Sequence, residues 1–313
     1  MQPAHIYHCD WGKAAQKRWS ASAILKHGRY TLSAAGRIDK WAGEPKNLIP
    51  AIRRNLNSLE CALVGFDFPI GIPARYARTA GIKEFKALLL QLGAGPWSNF
   101  FDYARRSEEI SLRRPFYPFK PGGTKQSHLL RALGFQNMDQ LRRQCEEKQP
   151  ERRAACSLFW TLGANQVSRG AIVGWRDVLA PALKNSNDVL FRPFDGKIPD
   201  LLQPGKIVIA ETYPTEYYRW FSGSMLNVKG QRHSRTKFGD FLLNRAAKRN
   251  LELEGPLHQQ IEKGFPEGDD AFDAVVGLFG MIEVATGERQ SGEPHDEKIT
   301  RWEGWILGQT SLQ

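Results

Sequence analysis

The sequence predicts an α/β fold: a mixed five-stranded sheet, in the order 3-2-1-4-5, flanked by helices and interrupted after its fourth strand by a helical insertion. Three observations carry this expectation. The run Ala62-Leu-Val-Gly-Phe66 is short, apolar and β-forming, and Pro69, which cannot donate to a ladder, ends it just past Asp67. Ahead of it stand three β-type segments on short connections and then one helical stripe. Behind it, residues 74–200 turn to helical periodicity before a β pattern resumes at Lys206.

In chain order, His5–Asp10 reads as a strand ending at Trp11-Gly12. Arg18–Lys26 and Tyr30–Ala35 read as two more, with Gly28 as the turn signal between them, so the three form an antiparallel meander. Leu48, Ile49, Ile52, Leu56 and Leu59 make a helical stripe over Asn47–Leu59. That helix supplies the crossover needed for parallel pairing of the fourth strand with the first. Asp10 and Asp67 then lie side by side at the C-terminal edge of the sheet, where ligands gather in open α/β folds. The insertion reads as helices over Ile82–Leu92, His128–Leu133, Met138–Lys148, Arg152–Leu162 and Trp175–Leu183, with a Pro- and Gly-rich connection at Arg113–Gly123. Lys206–Glu211 is the fifth strand, again closed by an acid and, at Pro214, a proline. A basic loop, Lys229–Lys237, leads to helical pieces ending near Lys263. Gly268–Glu283 reads as a buried helix with Asp269 as its N-cap. The polar stretch Gly287–Lys298 and a packing segment around Trp302 and Trp305 complete the reading. The expected organisation is a core of residues 1–73 and 201–313 around an inserted, mostly helical subdomain of residues 74–200.

A chain of 313 residues, 41% hydrophobic, can bury one large core or two ordinary ones. No basic-then-apolar leader pattern is present, and the longest apolar stretch, Ala271–Ala285, is broken by Asp273 and Glu283; a cytoplasmic protein without a membrane partner is expected. Cys9, Cys61, Cys145 and Cys156 are scattered without a C-x-x-C pair, which reads as free thiols rather than a zinc site. The net charge of +11 is uneven: +5 over residues 1–73, +9 over 74–200 and −3 over 201–313. A basic surface beside an acidic centre suits a metal-dependent enzyme acting on a polyanion, with ordinary solubility charge as the plain alternative.

The acids carry the chemistry. Asp10, Asp67 and Glu211 each end a strand, and Asp270 and Asp273 share one face at the start of a helix apolar nearly all round. Helix-dipole complementation accounts well for Asp269 and Asp270, less well for Asp273. Several carboxylates in one place cannot all stay ionised without positive charge between them, and hard oxygen donors suit Mg²⁺ or Mn²⁺. Two such ions can activate a water and stabilise the leaving oxygen of a phosphodiester. Asp10, Asp67, Glu211 and Asp273 are the expected catalytic residues, with Asp270 added to the metal ligands. Nucleic acid is the expected partner. Its candidate contacts are Arg105, Arg106, Arg113, Arg114 and Lys120, interleaved with aromatic residues of the insertion, and Lys229, Arg232, Arg235 and Lys237. The alternative for those rings is that they form the core of the insertion.

The order of strand-end Asp10, meander, helix, strand-end Asp67 and late Asp270-Ala-Phe-Asp273-Ala resembles the ribonuclease H-like fold, and the Asp-x-x-Asp-Ala spacing is similar to the last motif of RuvC-type Holliday-junction resolvases. Gly65-Phe-Asp-Phe-Pro-Ile-Gly-Ile-Pro73, Glu211-Thr-Tyr-Pro214, Asp270-Ala-Phe-Asp-Ala274 and Glu303-Gly-Trp-Ile-Leu-Gly308 resemble the family called domain of unknown function 429, regarded as ribonuclease H-like nucleases. The resemblance implies a metal-dependent nuclease. Two rivals stand beside it. One is a non-catalytic nucleic-acid-binding relative. The other is an actin- or sugar-kinase-like phosphotransferase, since Asp10-Trp-Gly12 is similar to a first phosphate loop; against it, Lys13 replaces the usual hydroxyl residue and no second such loop follows. Gly122-Gly-Thr-Lys125 lacks the glycine spacing of a Walker A loop.

Overall fold

The computed structural model describes residues 1–148, 153–162, 167–222 and 229–310. Seven strands form one mixed sheet: β1 (His5–Trp11), β2 (Arg18–Lys26), β3 (Arg29–Arg37), β4 (Ala62–Phe66), β5 (Val189–Phe191), β6 (Ile207–Glu211) and β7 (Glu252–Leu253). Their order is β5-β6-β4-β1-β2-β3-β7. The antiparallel pairs are β1–β2 and β2–β3; β1–β4, β4–β6, β5–β6 and β3–β7 run parallel. The sequence predicts five strands. The two additional ones, β5 and β7, lie at the edges and are three and two residues long, too short to show a period of two.

The chain divides into two compact units. The first comprises residues 1–67, 188–293 and the chain from 306 onward; the second comprises 68–187 and 294–305. The sequence pattern places these borders at 73/74 and 200/201. Residues 188–200 instead join the first unit because β5 pairs with β6, and 294–305 join the second through Glu303.

In the first unit β1, β4 and β6 are buried along their whole length, as expected of central strands covered on both faces. Helix Asp269–Ala285 is buried from Ala271 to Val284 and packs on β1 and β2. Its close approach is set by glycines: a Cβ at Gly277 would overlap the imidazole of His8, and one at Gly280 the ring of Tyr217. Phe272, Phe238 and Phe265 pack edge to face around this helix. Its N-cap is Gly268 at φ 123°, not Asp269, which is the first helical residue and makes no capping bond. The helix expected over Asn47–Leu59 is shorter, Leu48–Arg54. The expected basic loop Lys229–Lys237 is, from Arg232, the first part of helix Arg232–Lys248; its scattered arginines and lysines hide the helical stripe.

The second unit consists of short helices, among them Ala74–Thr79, Phe85–Gln91, Gln126–Leu133 and Val167–Gly174. The last runs through a π turn, Trp175–Leu179, into Ala180–Asn185. Tyr76, Phe85, Phe100, Phe116, Phe159 and Trp175 form its aromatic core. The helix expected over Met138–Lys148 is two 3₁₀ turns, Met138–Leu141 and Gln144–Glu146. Here Arg143 pairs with Glu146 (2.8 Å), and Glu303 accepts from the amides of Ala74 (3.0 Å) and Gln144 (2.8 Å). Of the helix expected over Arg152–Leu162, Arg152 lies outside the described residues, and residues 153–157 take no helical form. All four cysteines are free. Among the described residues no helix is long and apolar enough to cross a membrane.

Candidate active site

Parallel pairing of β1 with β4 sets Cys9 opposite Phe66, so Asp10 and Asp67 follow at adjacent strand ends, and the Asp67 amide donates to the Cys9 carbonyl (3.1 Å). Parallel pairing of β4 with β6 sets Phe66 opposite Glu211. Three acids are thereby placed at the C-terminal edge by register alone. Helix Asp269–Ala285 brings Asp270 and Asp273 to the same group, since their charges act on Asp10. Asp10, Glu211 and Asp273 are buried; Asp67 is the most exposed of the four catalytic candidates.

Burial is the main force on these acids, and mutual repulsion adds to it. The Asp10 carboxyl is held well above the usual carboxylate range by burial, then by the charges of Asp273, Asp67 and Asp270; Lys229 opposes them. Asp273 is raised by burial and by Asp67. Asp67 is pushed up to about 6 by burial, with Lys229 lowering it and Glu211 raising it. Two lysines answer the negative charge. Lys17 meets Asp270 at 2.8 Å, and the Lys229 ammonium donates to Asp273 Oδ2. Asp273 Oδ1 is buried with no hydrogen-bond partner.

Among the described residues no group of three or more His, Cys, Asp or Glu side chains is arranged to hold a metal ion. Asp270 and Asp273 each take a lysine. The donors nonetheless fit a hard divalent cation, being carboxylate oxygens in poor contact with water, with one buried oxygen unsatisfied.

The cysteine and histidine of β1 nearest this edge are poor nucleophiles. Cys9 is fully buried and its thiol is pushed far up by burial and by Asp10. His8, also fully buried, lies 2.9 Å from Thr212 Oγ1 through Nε2, and burial lowers its pKa to about 3, so it is neutral. Neither His8 nor Lys17 is marked as part of the acidic edge by the sequence. The only signal for His8 is the glycine at Gly277, whose missing side chain makes room for the ring.

The candidate nucleic-acid residues divide between the units. In the first, Lys229 neutralises Asp273. Arg235 is buried, with its guanidinium donating to the carbonyls of Lys229, Gly264 and Phe265, so it is a structural brace and not a surface contact. Arg232 donates to the Lys263 carbonyl, and Lys237 is exposed. In the second, Arg106 pairs with Glu108 and Glu109, and Arg114 with Glu109. Arg113 lies 3.5 Å above the Trp97 ring. Arg105 and Lys120 are exposed. Of the interleaved rings, Phe100, Phe116 and Tyr117 belong to the core, Phe101 and Tyr103 are half-buried, and Phe119 is 40% exposed.

No protein-family model, no curated protein and no solved structure matches this chain.

Proposed function

We propose that this protein is a metal-dependent nuclease hydrolysing phosphodiester bonds at the carboxylate edge, built on a ribonuclease H-like arrangement of its sheet. The observation that carries the reading is the mutually repelling set of buried Asp10 and Asp273 with half-buried Asp67 at one sheet edge, a grouping that a divalent cation would relieve. Its support in the fold is the consecutive run β3-β2-β1-β4-β6, with Asp10 and Asp67 on adjacent parallel strands. The motif resemblance to the domain of unknown function 429 family points the same way.

Asp10, Asp67, Glu211 and Asp273, with Asp270, would hold Mg²⁺ or Mn²⁺, two ions when fully loaded. When bound, the metal supplies an activated water and neutralises charge on the phosphate. Lys229, which pairs with Asp273, would on release meet a phosphate oxygen. The four free cysteines suit the reducing cytoplasm. The phosphotransferase reading has less support, because the Gly12 amide donates to the Lys17 carbonyl (3.0 Å) and Arg18 holds the Gly12 carbonyl (2.9 Å), which closes the turn on itself.

The test is cleavage of labelled single-stranded, duplex and branched DNA and RNA with Mg²⁺ or Mn²⁺. The expected result is hydrolysis that chelation stops and Asp10→Asn removes. An inactive wild type on every substrate, or an Asp10→Asn protein that cleaves normally, overturns the assignment. ATP-dependent transfer to a small molecule would favour the phosphotransferase.

A further inference from the structure

In the second unit, two stretches of chain run side by side. The Ala104 amide donates to the Phe116 carbonyl (2.8 Å), and the Phe119 amide donates to the Ala104 carbonyl (3.1 Å). This pairing brings Tyr103 and Phe119 together at the surface, ring centroids 5.9 Å apart at 61°. Phe119 is 40% exposed, whereas neighbouring Phe116 and Tyr117 are buried. Each ring carries a guanidinium: Arg105 lies 4.9 Å from the Phe119 centroid, and Arg169 lies 5.7 Å from that of Tyr103. Arg169 also donates to the Phe119 carbonyl (3.4 Å), and its Nε is buried without a hydrogen-bond partner. Among the described residues neither Arg105 nor Arg169 is paired with a carboxylate, unlike Arg106, Arg114 and Arg176. Lys120 and Lys125, both exposed, follow on the same segment.

We propose that Tyr103 and Phe119, with Arg105 and Arg169, form a stacking platform for single-stranded nucleic acid. An exposed ring gains by stacking on an unpaired base, and a duplex, whose bases are already stacked and paired, cannot offer one. Guanidinium groups without carboxylate partners complement the phosphates, which makes a polyanion the fitting occupant rather than an apolar peptide. As the source of substrate for the carboxylate edge, the platform rests on the nuclease reading; as a binding surface it stands alone.

The experiment is fluorescence anisotropy of the full chain with a labelled single-stranded 12-mer and a blunt duplex of the same sequence, at low salt with a chelator present. The expected result is binding of the single strand at least about tenfold tighter than the duplex, with Phe119→Leu weakening it about tenfold or more and Phe119→Tyr restoring it. Replacing Arg105 and Arg169 together by Gln should lower the salt slope by roughly 1.4, about 0.7 for each phosphate no longer neutralised. The platform is overturned by absent single-strand binding, by equal affinity for the duplex, or by a Phe119→Leu protein that binds like wild type. Cleavage, assayed separately with Mn²⁺, keeps the two ideas apart. Ring-dependent binding without cleavage upholds the platform and removes the nuclease, whereas cleavage with ring-independent binding does the reverse.

Discussion

Asp67 and Lys229 make the carboxylate edge testable one side chain at a time. The folded-state pKa of Asp67, about 6, lies above its ordinary value of 3.8, so the folded chain binds this proton more tightly than the unfolded one. Its contribution to stability is therefore complete below about pH 4 and is lost as pH rises towards 6. Urea unfolding of the chelated protein should show a smaller loss in Asp67→Asn than in wild type, since the raised Asp10 and Asp273 carboxyls remain. Asp10→Asn and Asp67→Asn should each lower activity by at least about 100-fold, since loss of a ligand exceeds the effect of losing its outer support. Lys229→Met should divide two measurements. On the proposed reading Mn²⁺ affinity should rise, because the ammonium on Asp273 no longer competes, and turnover should fall, because the cation proposed to meet the phosphate is gone. Titration calorimetry and steady-state kinetics read these separately; a Mn²⁺ affinity that falls with the lysine removed would count against a shared site.

At the scale of elements, helix Asp269–Ala285 packs along β1 at the edge, and Gly277 makes room there for the His8 ring. Gly277→Ala forces a methyl group into the imidazole, and overpacking of this kind costs about 1–3 kcal/mol; the denaturation midpoint should drop without a change in slope. A parallel loss of metal-dependent activity is expected, because Asp273 rides on the same helix. His8 adds a pH dependence of opposite sign to that of Asp67. Its folded pKa, about 3, lies below the ordinary 6.5, so the stability it lends is present above 6.5 and lost as pH falls towards 3. Between about pH 4 and 6 the two groups oppose one another. Asp10 and Asp273, also raised by burial, act with the same sign as Asp67, so Asp67→Asn should reduce the fall in stability between about pH 4 and 6 without abolishing it, which a pH series of unfolding curves resolves.

Across the whole molecule, charge and ligand linkage are the measurable quantities. A ligand that binds only the folded state stabilises it by about 2.7 kcal/mol at one hundred times its Kd. Mn²⁺ should accordingly raise the Tm of wild type and leave that of Asp10→Asn unmoved; equal shifts in both would point to binding elsewhere. If the proposed reading holds, nucleic-acid binding by a chain of charge +11 should weaken steeply with salt. Of the residues the sequence suggests as contacts, Arg235 is an internal brace, and Arg106 and Arg114 pair with Glu108 and Glu109.

Local signals in the sequence determined where the acids lie on their elements. Apolar runs closed by Pro69 and Pro214 marked the ends of β4 and β6, and an almost wholly apolar helix marked the burial of Asp273. Gly277 lets that helix approach the sheet closely, because it has no side chain to meet His8. Only the tertiary structure decided what depends on distant partners. The edge strands β5 and β7 are defined by hydrogen bonds to β6 and β3, not by any pattern of their own. The arginines of the chain look alike in sequence, and only packing separates buried Arg235 from exposed Arg105. Lys17 and Lys229 stand far along the chain from Asp270 and Asp273, so no spacing rule links them, yet the repulsion among buried carboxylates draws each ammonium to its acid.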